Sequence, residues 1–102
     1  MIRIFVDGAS KGNGGHAGIG IVICLNGRVI KVKEYIGMAT NNVAEYTALK
    51  RALEIVTELG IEDRTIKVFM DSELVVRQMR NEYAVRDPDL AKISHDLTIL
   101  HL

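Results

Sequence analysis

The sequence predicts one α/β domain built on a mixed β-sheet. Three observations carry this prediction: the chain has 102 residues, which suits a single core; its apolar residues switch between strand and helix periodicity; and the segments follow the order strand, hairpin, helix, strand, helix. With 48% hydrophobic and 25% charged residues, the composition is that of a folded globular protein. A right-handed crossover then places the strand after the long helix parallel to the first strand.

The first three segments are predicted to be strands. Residues 2–7 alternate apolar and other side chains and lead into a glycine-rich loop. Two β-rich runs follow at about 18–25 and 28–36, and Asn26-Gly27 between them favours a type I′ hairpin turn. We therefore expect these two strands to be antiparallel neighbours.

A helix, a strand and two further helices are predicted next. Residues 42–59 carry an apolar stripe at helical spacing, and Gly60 is the expected C-terminal stop. A buried strand is predicted at 65–70 and a short helix at 72–80. The last helix is expected to begin at Asp87-Pro88. Its apolar positions would be Leu90, Ile93, Leu97 and Leu100.

Composition narrows the function classes. Thirteen basic residues balance thirteen acidic ones, so net charge gives no argument for a general attraction to nucleic acid. Cys24 is the only cysteine, which predicts a buried thiol and excludes a disulfide framework within the chain. No apolar run approaches the roughly 20 residues of a membrane span, and the N-terminus has no cleavage site, so a cytoplasmic location is the expectation.

Two aspartates end matching segments of the chain. Arg3–Gly8 and Lys67–Ser72 share the pattern basic, aliphatic, Phe, aliphatic, Asp, small. If these segments are parallel neighbours, Asp7 and Asp71 lie at the same edge of the sheet, where α/β proteins build their sites. At a strand spacing of roughly 4.8 Å the two carboxylates would repel unless a cation lies between them. A divalent metal ion is the simplest answer.

A third acid, Glu45, lies on the apolar stripe of the long helix. It is one turn from the helix start and faces the sheet. The alternative for Glu45 is a capping box with Asn42 as N-cap. Asp7 and Asp71 have similar alternatives, as a turn residue before Gly8 and as a helix N-cap. Three oxygen ligands favour Mg²⁺ or Mn²⁺ over zinc, and the chemistry that suits such a cluster is phosphoryl transfer.

The motifs that carry these acids resemble the type I ribonuclease H family. They are Asp7–Asn13 (DGASKGN), Thr40–Tyr46 (TNNVAEY) and Asp71-Ser72, and the Tyr83–Leu90 stretch is similar to the compact bacterial and archaeal branch. The resemblance implies strand order 3-2-1-4-5 and Mg²⁺-dependent endonucleolytic cleavage of the RNA strand of RNA/DNA hybrids, with 5′-phosphate products. It also implies that Asp7, Glu45 and Asp71 are catalytic metal ligands. The implied hybrid contacts are Asn13, Asn41, Asn42, Gly12 and Ser72.

One part of the family pattern is not found. Family members continue with a fifth strand, a His-bearing loop and a last helix that supplies a fourth aspartate. Because Leu102 is interpreted as lying in the preceding helix, we expect a truncated ribonuclease H-like domain over residues 1–102, with order 3-2-1-4 and no fifth strand. The missing ligand is expected to impair the rate. The fourth strand would then be an exposed edge, which predicts a homodimer through that edge.

Two other functions fit parts of the sequence. A non-catalytic module would keep the fold for nucleic-acid binding or assembly, and hybrid binding without cleavage would indicate it. A nucleotide-binding domain would use Gly12–Gly15 as a phosphate loop, but the loop leads into a strand and not a helix N-terminus. The ribonuclease interpretation is the one that uses all three acids.

Overall fold

A five-stranded mixed sheet and one long helix form the part of the chain that the structure describes, residues 1–60, 65–71, 76–77 and 96–101 of a computed structural model. The strand order is β3-β2-β1-β4-β5, with antiparallel β1–β2 and β2–β3 pairs and parallel β1–β4 and β4–β5 pairs. The predicted α/β mixed sheet is therefore confirmed. The elements are β1 (Ile2–Ser10), β2 (His16–Leu25), β3 (Arg28–Met38), α1 (Asn41–Glu58), β4 (Thr65–Met70) and β5 (Asp96–His101).

The core lies between α1 and one face of the sheet. In β1, β2 and β4 every second residue is buried, because successive strand residues point to opposite faces. Leu49 and Leu53 of α1 are at most 1% exposed and pack against these strand residues. Each such side chain contributes about 1.5 to 3 kcal/mol by leaving water. The opposite face of the sheet carries the alternate residues, among them Asp7, and Cys24 lies there half-buried, not buried as predicted.

The ends of α1 are set by two local features. Thr40 is the N-cap, since its hydroxyl oxygen accepts a hydrogen bond from the Val43 amide at 3.2 Å. The helix thus begins one residue earlier than predicted, and Asn42 is not its cap. At the other end, Gly60 takes the left-handed conformation with φ +64°, which confirms the predicted stop.

The β2–β3 hairpin forms where the sequence predicts it, with Leu25 paired to Arg28 across Asn26-Gly27. The turn type is different from the prediction. A type I′ turn needs positive φ at both central residues, whereas Gly27 has φ +82° and Asn26 is not among the residues with positive φ. The hairpin signal therefore located the turn without fixing its geometry.

The prediction that the fifth strand is absent is wrong. Residues 96–101 form β5, which pairs in parallel with all of β4, and the buried Ile99 belongs to the core. A short run such as Leu97 to Leu100 satisfies both helix and strand spacing, and pairing with the free side of β4 decides between them. The predicted helix is therefore wrong over 96–101, while its start at Asp87-Pro88 lies outside the described residues.

The exposed edge that predicted a homodimer does not exist, because β4 has β1 on one side and β5 on the other. Of the short helix predicted at 72–80, only residues 76–77 are described, and they are helical with Val76 buried in the core. Across the described ranges, none of the helical segments combines the length and apolar character needed to cross a bilayer.

Candidate metal centre and nucleic-acid interface

Two of the three predicted carboxylates come just after the stretch in which β1 and β4 are paired. The β1–β4 register pairs Phe5 with Phe69, and these rings stack with centroids 5.0 Å apart. Two residues further along each strand come Asp7 and Asp71, both exposed. Continuation of the register therefore places the two aspartates side by side at one edge of the sheet.

The third carboxylate, Glu45, enters the same edge from α1. Its side chain is 7% exposed, and its buried Oε2 atom has no hydrogen-bond partner in the part of the chain that the structure describes. The pKa of Glu45 is raised from 4.5 to about 7, mainly because the carboxyl group is buried. A hydrogen bond from the Gly8 backbone acts against this rise, and the charges of Asp7 and Asp71 add to it. All three acids thus share one electrostatic environment.

Gly8 allows α1 to approach β1 this closely. A Cβ atom at Gly8 would lie 2.4 Å from the Ala44 carbonyl carbon and 2.6 Å from the Glu45 nitrogen, both backbone atoms. Glycine is required here because any side chain would push the helix away. The sequence motif places Gly8 directly after Asp7, so the same short segment supplies one carboxylate and the room for another.

The capping-box alternative for Glu45 is wrong. With Thr40 as N-cap, the third helical residue is Val43, so Glu45 lies too far into α1 to cap it. Its carboxylate is instead buried against β1 near the two aspartates. The apolar stripe of α1 predicted that Glu45 faces the sheet, and its burial agrees with that prediction. Its role as a metal ligand stays a prediction.

Three of the residues predicted to bind hybrid meet at the start of α1. Asn13 accepts a hydrogen bond from the Asn41 amide at 2.8 Å, and the Asn41 side-chain oxygen accepts from the Ser10 amide at 2.8 Å and hydroxyl at 3.1 Å. Gly12 and Asn13 both have positive φ, +65° and +49°, which turns the loop toward the helix. The loop leads into β2, so a phosphate loop at a helix N-terminus is not formed.

Asn42 is exposed in the first turn of α1, next to this network. Ser72, the remaining predicted hybrid contact, lies outside the described residues. Asn41 and Asn42 thus lie in the first turn of α1, the helix that also carries Glu45, and Asn13 is hydrogen-bonded to that turn. Their contact with nucleic acid stays a prediction.

Sequence reasoning missed a contact between β5 and the site. His101, at the end of β5, donates a hydrogen bond from Nε2 to the Asp71 backbone carbonyl oxygen at 2.9 Å. This bond holds the backbone of Asp71 directly after the end of β4. No local signal in the sequence indicates this contact, because it depends on the β4–β5 pairing.

Comparison with known proteins identifies the family. A family model described as reverse transcriptase-like matches residues 5–100. Ribonuclease HI of Halobacterium salinarum is 41% identical over 93 residues, which cover 89% of this chain and 46% of that protein. The chain belongs to the type I ribonuclease H family.

Solved ribonuclease H structures share the fold. LC11-RNase H1, solved in complex with an RNA/DNA hybrid, is 44% identical with a TM-score of 0.79, covering 100% of this chain and 85% of that one. The N-terminal ribonuclease H domain of a Mycobacterium tuberculosis protein is 36% identical with a TM-score of 0.81, covering 99% and 86%. The full-length bifunctional M. tuberculosis protein is 43% identical over 95 residues, 90% of this chain.

The chain spans a quarter to a half of the length of these curated relatives, 26% of the M. tuberculosis protein and 46% of the H. salinarum one. The strand order 3-2-1-4-5 implied by the family resemblance is confirmed. It includes the fifth strand, whose apolar residues also fit the spacing of a helix. The family assignment thus rests on sequence and fold together.

The electrostatics of this ribonuclease H site suit a cation. Among the described residues the buried Glu45 oxygen has no hydrogen-bond partner, and the charges of Asp7 and Asp71 contribute to the raised pKa of Glu45. Within the described residues, no three His, Cys, Asp or Glu side chains are arranged to hold one ion. Asp7, Glu45 and Asp71 would hold Mg²⁺ or Mn²⁺, the ions that carboxylate oxygens select.

The raised pKa of Glu45 predicts a pH-dependent stability. Between its ordinary value of 4.5 and about 7, folded Glu45 keeps a proton that the unfolded chain releases. The free energy of unfolding should therefore fall by about 1 to 3 kcal/mol as pH rises through this window without divalent metal, and level off above it. Urea unfolding at several pH values measures this, with Glu45→Gln as the control that should flatten the dependence. An equal slope in the wild type and Glu45→Gln would contradict it.

Proposed function

We propose that this ribonuclease H family member hydrolyses the RNA strand of RNA/DNA hybrids endonucleolytically with a divalent metal ion. The observation that carries the proposal is the buried Glu45 carboxylate, whose unpartnered oxygen lies in the field of Asp7 and Asp71. Such an arrangement is costly for stability, and a bound cation would offset the cost. A site that lowers stability in this way is typical of catalytic centres.

The chemistry is the attack of water on a phosphodiester. A divalent ion, when bound, would lower the pKa of the attacking water and neutralise charge on the phosphate oxygens. The new bond joins the water oxygen to phosphorus, the bond from phosphorus to the 3′ oxygen breaks, and the 3′ oxygen takes a proton. Asp7 presents its carboxylate from β1 and Asp71 from the residue after β4, and Glu45 is held by burial between α1 and β1. The protein thereby orients the reacting groups.

Hybrid selection follows from the asparagines beside the acids. Only the RNA strand carries 2′-hydroxyls, which both donate and accept hydrogen bonds. The Oδ1 atoms of Asn13 and Asn41 already accept hydrogen bonds within the protein, so their side-chain NH₂ groups would donate to the 2′-hydroxyl oxygens. Asn42 would add a third amide group, and none of these contacts reads base sequence. LC11-RNase H1, 44% identical to this chain, has been solved with an RNA/DNA hybrid bound, which supports the same substrate here. A cytoplasmic location stays a prediction, which cell fractionation would check.

A non-catalytic nucleic-acid-binding module is the second candidate. It is favoured by one observation, that the described carboxylates do not form a ready three-ligand metal site. This module would bind hybrid through the asparagine-bearing loop and helix start and leave the strand intact. Binding and cleavage must therefore be measured separately.

The decisive experiment is a cleavage assay on a hybrid with labelled RNA, beside a DNA duplex of the same sequence. We expect Mg²⁺-dependent cleavage of the RNA strand at internal positions, none in EDTA, and none of the DNA duplex. Hybrid binding without cleavage in Mg²⁺ or Mn²⁺ would favour the binding module. Absence of both would contradict the proposed function.

A further inference from the structure

We propose that a trough beside Asp7 binds one sugar-phosphate unit of a nucleic-acid strand, with the sugar against Tyr35 and the phosphate at Lys33. The proposal rests on the proposed function, because it extends the same site. The trough is an open cavity of about 550 Å³ on the sheet face opposite α1, and Asp7 lies at one end of it. The residues of its lining that matter for binding are Gly18, Gly20, Lys33, Tyr35 and His16. Glu34 also lines the trough, and its carboxylate is paired with Arg51 of α1 at 3.6 Å.

The strand register builds the trough. Asp7 pairs with Gly20 and Gly20 with Lys33, so a carboxylate, a bare backbone and a cation lie in one row across three strands. In the next row Gly18 pairs with Tyr35. Paired residues share a face of the sheet, so the side chains of Asp7, Lys33 and Tyr35 lie around Gly18 and Gly20. These two glycines form the floor of the trough, because they carry no side chain. The trough therefore continues directly from the carboxylate site to a positive and aromatic wall.

The two floor glycines are not explained by the fold. Neither Gly18 nor Gly20 has a positive φ, so their backbone suits any residue. A Cβ atom at Gly20 would meet nothing within 4 Å, and one at Gly18 only the Glu34 carbonyl oxygen at an ordinary 3.5 Å. Glycine weakens the interior of a strand, and its use there often marks close approach of a ligand. The packing of the protein thus leaves room for a side chain at both positions, and the sequence has glycine there.

The wall of the trough is an aromatic ring held in place. Tyr35 is 64% exposed, yet its hydroxyl is hydrogen-bonded to His16 Nδ1 at 2.7 Å. A bulge in β3 lies beside it: Gly18 faces Tyr35 while Ala17 faces Gly37. Bulges of this kind often aim a side chain near a functional site. A fixed, exposed ring offers an apolar face at little entropic cost, which suits the sugar of a paired nucleotide whose base faces are already stacked.

Charge decides between nucleic acid and a neutral ligand. Lys33 stands at the end of the row that begins with Asp7, and it is exposed. A strand whose scissile phosphate lies at the carboxylates would place a neighbouring phosphate toward this lysine. Lysine contacts to phosphates release counterions, which makes their contribution dependent on salt, whereas the contact with Tyr35 is apolar and independent of it.

The first test measures hybrid affinity by fluorescence anisotropy in EDTA over a series of salt concentrations. Tyr35→Ala should weaken binding roughly fivefold to tenfold with an unchanged salt slope, while Tyr35→Phe keeps the ring and stays near the wild type. Lys33→Ala should weaken binding and reduce the slope of log K against log salt by about one. The matched control is Val29→Ala, an exposed residue on the same face of β3 outside the trough, which should bind as the wild type does.

The second test fills the floor. Gly20→Val places a β-branched side chain where nothing lies within 4 Å, so the variant should be at least as thermally stable as the wild type but bind hybrid about tenfold more weakly. If Gly20→Val and Tyr35→Ala both bind hybrid with wild-type affinity, the proposed role of the trough is wrong. The proposed function would still hold in that case if the wild type cleaves the hybrid. A wild type that neither binds nor cleaves hybrid would overturn both.

Discussion

Asp7→Asn is expected to reduce Mg²⁺-dependent hybrid cleavage about a thousandfold or more, corresponding to roughly 4 kcal/mol of transition-state stabilisation. The physical reason is that the Asp7 carboxylate on β1 acts on Glu45 and lines the trough. Because Asp7 is exposed, its neutral isostere should leave the folded structure intact. Initial rates on labelled hybrid measure the effect, and thermal unfolding checks the fold.

The matched control for Asp7→Asn is Glu58→Gln. Glu58 is an exposed carboxylate at the far end of α1, where it pairs with Arg51 at 3.7 Å, so its neutralisation should leave cleavage unchanged. A further readout comes from the loss of one neighbouring charge, since the pKa of Glu45 should fall in Asp7→Asn. Cleavage at the wild-type rate in Asp7→Asn would remove the basis of the proposed chemistry.

Gly8→Ala is expected to lower the free energy of unfolding by about 2 to 3 kcal/mol and to disturb the acid cluster at the same time. The added Cβ would lie 2.4 to 2.6 Å from backbone atoms of Ala44 and Glu45, which cannot rotate away as a side chain can. The helix must therefore shift, and the Glu45 hydrogen bond to the Gly8 backbone weakens with it. Urea unfolding measures the stability, and hybrid cleavage should fall in the same variant.

Gly20→Ala is the matched control for this substitution. It adds the same methyl group to a strand glycine whose Cβ would meet nothing within 4 Å, so stability should be retained or improved. If Gly8→Ala unfolds at the same urea concentration as Gly20→Ala, the close approach of α1 to β1 is not what requires glycine.

The first part of the fold was predictable because local signals agree with tertiary packing there. The alternation in Ile2–Ser10, the Asn26-Gly27 turn and the apolar stripe of α1 each indicate one structure, and the sheet accepts it. The motifs around Asp7, Glu45 and Asp71 likewise predicted three acids at one sheet edge, and the structure places them in one electrostatic environment. Their role as metal ligands stays a prediction that the cleavage assay tests.

The sequence by itself determined the mixed sheet, the long helix and the candidate acids, since strand and helix periodicity and short motifs are properties of neighbouring residues. Only the tertiary structure decided that residues 96–101 are β5, that Gly8 is needed for the approach of Ala44, and that Gly18 and Gly20 form an open floor beside Asp7. The physical reason is that each of these depends on atoms distant in the chain. Pairing with β4, crowding by a helix backbone and empty space above a sheet leave no periodic trace in the sequence.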